Sequence, residues 1–130
     1  MDEGLANGQR RVLVVEDETM IAMLVEDMLG DLGFAVLGPA GGLAEALELV
    51  RGPRRMDAAL LDVNLGGQPV FAVADELRAK GVPLIFSTGY GDGGLRDIDR
   101  GAPVLQKPFR VQDLASALEQ ALGPARPDSR

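Results

Sequence analysis

Five side chains in this chain of 130 residues have the types and the placement to do chemistry together: Glu16, Asp17, Asp62, Thr88 and Lys107. Each follows a short apolar run. Glu16-Asp17 follows Val12-Leu13-Val14-Val15, Asp62 follows Ala58-Ala59-Leu60-Leu61, Thr88 follows Leu84-Ile85-Phe86-Ser87, and Lys107 follows Pro103-Val104-Leu105-Gln106. Three carboxylates brought to one place repel one another and gain proton affinity unless positive charge sits among them. A divalent hard cation meets that need. Magnesium takes oxygen ligands, keeps several waters and is held by one or two carboxylates beside phosphate oxygens, so Asp17 and Asp62 are the expected direct ligands, with manganese as an alternative ion. Glu16 would act directly or through a water, and the backbone carbonyl of Asn64 would complete the ring. With charge so balanced, Asp62 is placed to attack a phosphoryl group and form an aspartyl phosphate. Lys107 would neutralise phosphate oxygens and Thr88 would donate its hydroxyl to them.

Composition closes off other chemistries. The chain has no Cys and no His, which removes disulfides, thiolate zinc sites, cysteine nucleophiles and histidine bases. A formal net charge of -7 argues against a nucleic-acid surface. No apolar stretch reaches the roughly 20 residues a membrane helix needs, and the start Met1-Asp2-Glu3-Gly4 has no signal-peptide character, so the expected location is cytoplasmic, with no membrane partner.

The elements that must position these residues alternate. Strand-like runs at 11–15, 34–38, 57–61, 83–87 and 103–105 have mostly continuous apolar interiors, as strands covered on both faces do. Between and after them, Ile21, Leu24, Val25, Met28, Leu29 and Leu32 recur at helical spacing, as do Leu43, Ala46, Leu47 and Val50, then Val70, Val73, Ala74 and Leu77, then Val111, Leu114, Ala115 and Leu118. Alternating strands and helices imply right-handed crossovers and a parallel sheet with about five helices on its two faces. The carboxyl ends of such strands share one edge, where ligands bind. Segment 89–102, rich in Gly and Asp, has little apolar periodicity, and any helix there should be short and loosely held. One domain over 10–123 is expected, with flexible tails at 1–9 and 124–130.

This set of residues resembles the response-regulator receiver domain of two-component signalling: Glu16-Asp17 as the acidic pair, Asp62 as phosphoacceptor, Thr88 as the switch hydroxyl, and Lys107-Pro108 as the paired lysine with a peptide that is typically cis in the family. The resemblance implies an α/β flavodoxin-like fold, a five-stranded doubly wound sheet in the order 2-1-3-4-5. Phe86-Ser87-Thr88-Gly89-Tyr90 and Asp62-Val63-Asn64-Leu65-Gly66-Gly67 are similar to the Phe-Ala-Thr-Gly (FATGUY-type) subgroup, with Ser87 where Ala is usual. That likeness implies a single-domain regulator, not an enzyme beyond its own phosphorylation and dephosphorylation. Its implied partners are a sensor histidine kinase, of the HWE or a related class, or a histidine phosphotransferase. The aromatic residue expected three positions before the lysine is here Val104, and Tyr90 is expected to take over part of its role. Asn64 and Tyr90 would flank the hydrolytic water and set the lifetime of the phosphoryl group. The alternatives to this reading are a magnesium-dependent phosphatase or phosphotransferase acting on small molecules, and a degenerate module that binds without being phosphorylated.

Overall fold

The computed structural model describes residues 9–89 and 94–123. The chain runs β1 (Arg11–Val15), α1 (Thr19–Asp31), β2 (Ala35–Ala40), α2 (Leu43–Arg51), β3 (Ala58–Asp62), β4 (Asn64–Leu65), β5 (Gln68–Pro69), α3 (Phe71–Ala79), β6 (Leu84–Thr88), a 3-10 turn (Asp97–Asp99), β7 (Val104–Gln106) and α4 (Val111–Leu122). Five strands form a parallel sheet in the order β2-β1-β3-β6-β7, which is the doubly wound flavodoxin-like arrangement. The remaining pair, β4 and β5, makes a small antiparallel hairpin directly after β3.

The continuous apolar runs divide themselves between two cores because successive strand residues face opposite sides of the sheet. Leu13, Val15, Ala59, Leu61, Leu84 and Phe86 point to one side, where they pack with Ala46 and Val50 of α2 and Val73, Ala74 and Leu77 of α3. Val12, Val14, Ala58, Leu60 and Ile85 point to the other, against Val25 and Leu29 of α1 and Leu114, Ala117 and Leu118 of α4. Every position of β1, β3 and β6 is buried, so these three strands form the rigid middle of the sheet. Helix α1 stops where Gly33 adopts a φ of 89°, a left-handed conformation that costs glycine little.

Two expectations need correction. Among the described residues there are four α-helices rather than about five, because the β6–β7 crossover supplies only the three-residue turn Asp97–Asp99. Nor is that turn loosely held. Asp99 is fully buried and carries ion pairs to Arg78 and Arg96 at 2.8 Å each, so charge replaces the apolar periodicity the segment lacks. The structure adds the β4–β5 hairpin and a second cis peptide, Gly38–Pro39, neither of which the apolar periodicity signals.

Candidate functional site

The strand ends converge as the sheet order requires. Glu16 continues β1 by one residue, its N–H donating to the Ala40 carbonyl at 2.9 Å, and its side chain turns inward to only 5% exposure. One carboxylate oxygen accepts the Glu18 N–H at 3.1 Å and the other lies 2.8 Å from Lys107 Nζ. Asp62 is the last residue of β3, opposite Ser87 of β6, and is equally buried. Its Oδ1 accepts the Asn64 N–H at 3.2 Å and its Oδ2 accepts from Lys107 Nζ at 3.1 Å. Lys107 follows β7 directly, and its own N–H donates to the Thr88 carbonyl at 2.8 Å, tying the ends of β6 and β7 together. The peptide from Lys107 to Pro108 is cis.

Asp17 is exposed and does not cap α1; the residue before that helix is Glu18, with no side-chain cap. Its Oδ2 instead accepts the Gly66 N–H at 3.0 Å, from the turn of the β4–β5 hairpin. Asn64 Oδ1 accepts the Gly67 N–H at 2.9 Å and so closes that turn. The Gly66-Gly67 pair between Leu65 and Gln68 is a recognisable hairpin signal. Its reach to Asp17, 49 residues away, is not. Thr88 is buried at the end of β6 and, with Asp17, Asp62, Asn64, Phe71 and Lys107, lines an open cavity of about 650 Å³. Phe71 carries no signal in the sequence beyond its place at the start of α3. Tyr90 lies outside the described residues.

One lysine serves two buried acids. Burial pushes the Glu16 carboxyl from an ordinary 4.5 up to about 6, against the pull of Lys107 and the Glu18 N–H. Burial likewise raises the Asp62 carboxyl, opposed by Lys107. Burial works against the Lys107 ammonium too, but its hydrogen bonds to Glu16 and Asp62 prevail and hold its pKa above the usual lysine value. Glu18 adds a fourth carboxylate, 3.7 Å from the same ammonium. The site is therefore short of positive charge. Oxygen atoms of Glu16, Asp17 and Asp62 all lie within 4.8 Å of one another, a hard-donor set of the kind magnesium prefers. The residues present fit that ion.

Comparison with known proteins agrees with this geometry. Residues 12–119 match the family described as the response regulator receiver domain. The chain is 42% identical to SdrG from Sphingomonas melonis Fr1, with a TM-score of 0.79 over 90% of this chain and 98% of that one. It is 35% identical over 117 residues to the transcriptional regulatory protein PdtaR of Mycobacterium tuberculosis, covering 87% of this chain and 57% of PdtaR. The chain thus spans little more than half the length of that curated relative. The receiver domain of sensor histidine kinase PA1611 from Pseudomonas aeruginosa PAO1, with a magnesium ion coordinated in its active-site cleft, is 27% identical, with a TM-score of 0.72 over 89% of this chain and 99% of that one.

Proposed function

The chain belongs to the response-regulator receiver family, and from that premise we propose that Asp62 accepts a phosphoryl group from the phosphohistidine of a separate kinase or phosphotransferase in a magnesium-dependent reaction. The observation that carries this reading is the sharing of Lys107 by Glu16 at 2.8 Å and Asp62 at 3.1 Å at the mouth of an open cavity. A carboxylate oxygen of Asp62 attacks phosphorus, the phosphorus–nitrogen bond breaks, and the electron pair leaves on the donor's imidazole. Burial raises the proton affinity of Asp62, and Lys107, donating to its Oδ2 at 3.1 Å, opposes that effect and favours the ionised form that attacks. Glu16, Asp17 and Asp62, with the Asn64 carbonyl, would hold the magnesium ion, which supplies Lewis-acid neutralisation of phosphate charge. Lys107 moves its hydrogen bonds toward the phosphoryl oxygens, and Thr88 donates its hydroxyl to one of them. Asn64, at the rim, governs water access and hence the lifetime of the phosphoryl group.

These 130 residues contain no histidine, so the donor imidazole lies outside them, and we place the reaction in the cytoplasm. The donor's docking surface is supported by the apolar face of α1, where Met20, Met23 and Leu24 are 78%, 59% and 56% exposed. Beside them a groove of about 300 Å³ lined by Ile21, Leu24, Met28, Pro108 and Phe109 also includes Lys107, so a helix bearing the donor histidine would lie against the site it must reach. We assign a sensor histidine kinase of the HWE or a related class, with a histidine phosphotransferase as the relay alternative.

Intact-protein mass after incubation with acetyl phosphate, with and without magnesium, tests the chemistry. One adduct that needs both magnesium and Asp62 is expected. An adduct that persists in Asp62→Asn, or forms equally well in EDTA, would refute the assignment.

A further inference from the structure

We infer that Arg96 is a positioning residue of the phosphorylation reaction, acting through a four-charge latch with Asp75, Arg78 and Asp99 that holds the β6–β7 crossover against α3 and fixes one wall of the Asp62 cavity. The inference rests on the phosphoacceptor reading of Asp62.

Phe71, Asp75 and Arg78 stand at i, i+4 and i+7 of α3 and share one face of that helix. The Arg96 guanidinium lies 4.4 Å from the centre of the Phe71 ring, a cation–π distance, and the Phe71 side chain also lines the cavity around Asp62. The same guanidinium donates to both oxygens of Asp75, at 3.2 and 2.8 Å, and to Asp99 at 2.8 Å. Arg78 closes the square on Asp99 at 2.8 Å. On the crossover side, Leu95 is buried in the core and Gly94 lines the cavity beside Val63. One cluster of charges therefore determines where the crossover sits relative to the cavity wall.

The square is able to open without stranding a charge. Each element contributes one acid and one base: Asp75 and Arg78 on α3, Arg96 and Asp99 on the crossover. In the closed arrangement Arg96–Asp75 and Arg78–Asp99 run between elements, each at 2.8 Å. In an open one the pairs run within them, because Arg96 already donates to Asp99, three residues on, while Arg78 Nη1 has no hydrogen-bond partner and stands 3.9 Å from Asp75 Oδ1. Burying an unpaired carboxylate is what usually forbids such a separation. Here repairing within each element removes the obstacle, and what remains is a two-state element of modest free-energy difference. The closed state holds Phe71 and Gly94 at the cavity edge; the open state gives a donor and three new phosphate oxygens more room. Weakening the latch raises the population of the receptive state and so the rate of phosphorylation.

The test compares the natural chain with Arg96→Ala, Arg96→Lys, Asp75→Asn and, as a control, Arg51→Ala. Loss of Arg96 leaves Asp99 paired with Arg78, so that variant keeps its buried carboxylate satisfied and folds. Arg51 pairs with Glu76 and joins α2 to α3, an ion pair of the same kind on the same helix but away from the latch. Acetyl-phosphate labelling is followed as a function of donor concentration, together with backbone hydrogen exchange over 94–102. Arg96→Ala and Asp75→Asn are expected to raise exchange there by about tenfold. They should also speed labelling roughly three- to tenfold, through a lower half-saturating donor concentration more than a higher maximal rate. Arg96→Lys should fall between them and the natural chain, since an ammonium keeps the charge but loses the flat fork. Arg51→Ala should move neither quantity. Faster exchange with an unchanged labelling rate would make Arg96 merely structural and overturn the inference, as would an equal effect in Arg51→Ala. A natural chain that takes no adduct would sink the phosphoacceptor reading itself, whereas a labelled natural chain with unaltered Arg96 variants would sink the latch alone.

Discussion

Glu16 makes the charge imbalance of the site measurable as stability. Its carboxylate is 5% exposed and is pushed from 4.5 up to about 6 by burial, even with Lys107 at 2.8 Å. An acid whose pKa is higher in the folded chain than in the unfolded one binds its proton more tightly when folded, so ionising it opposes folding. That cost is absent below about pH 4.5, grows between pH 4.5 and 6, and is fully present above about pH 6. A gap of about 1.5 between the two values, at about 1.36 kcal/mol for each pH unit, amounts to about 2 kcal/mol.

Glu16→Gln removes the charge, keeps the shape and leaves Lys107 paired with Asp62 at 3.1 Å. In EDTA, its stability relative to the natural chain should therefore rise by about 2 kcal/mol between pH 4.5 and pH 7.5, whatever its starting offset. Urea unfolding followed by far-UV circular dichroism reads this directly; with no Trp in the chain, indole fluorescence is not an option. Magnesium at a hundred times its dissociation constant adds about 2.7 kcal/mol to a folded state that binds it. Because the variant lacks one of the three clustered carboxylates, it should gain less, and the gap at pH 7.5 should shrink or change sign. A difference between the two proteins that does not vary with pH would refute the argument that Glu16 is held ionised at a cost. A gap that widens on adding magnesium would refute its place among the metal ligands.

Two further outcomes follow from particular contacts. Gly38 has a φ of 96°, and a Cβ there would stand 2.9 Å from both the Ala40 nitrogen and the Val14 carbonyl oxygen, so Gly38→Ala should lower stability by roughly 3 kcal/mol from conformational strain and backbone overlap, measured by the same urea unfolding; a loss below about 1 kcal/mol would mean β2 shifts freely. Met23→Glu, at a position 59% exposed on α1, should slow phosphotransfer from the cognate kinase about tenfold while leaving acetyl-phosphate labelling intact, and equal slowing of both would place the donor elsewhere.

What the sequence made legible was whatever rests on local pattern. The runs ending at Val15, Asp62, Thr88 and Gln106 are strands whose residues alternate between two cores, and that double burial makes the interiors of the three central strands almost wholly apolar, Ser87 excepted. The strand ends could then be assigned to one edge with no knowledge of register, because parallel strands joined by helical crossovers all finish on the same side. Lys107 and Asp62, 45 residues apart, come within 3.1 Å for that reason alone.

The crossover defeated the same logic because its stability is not local. Asp97 and Asp99 are indistinguishable in sequence, two acids in a glycine-rich stretch, yet Asp99 is fully buried and the Asp97 side chain is fully exposed. The difference lies in Arg78, 21 residues earlier, whose position on α3 brings its guanidinium to Asp99 at 2.8 Å, whereas Asp97 pairs at the surface with Arg100 at 3.3 Å. Periodicity measures how a segment buries apolar surface against its own core; it is blind to a segment held by charges on another element. A stretch with weak hydrophobic patterning therefore need not be weakly attached. Where attachment is made by ion pairs that can re-form within each partner, the segment is also free to take a second position, so poor legibility in the sequence and capacity to switch have a common cause.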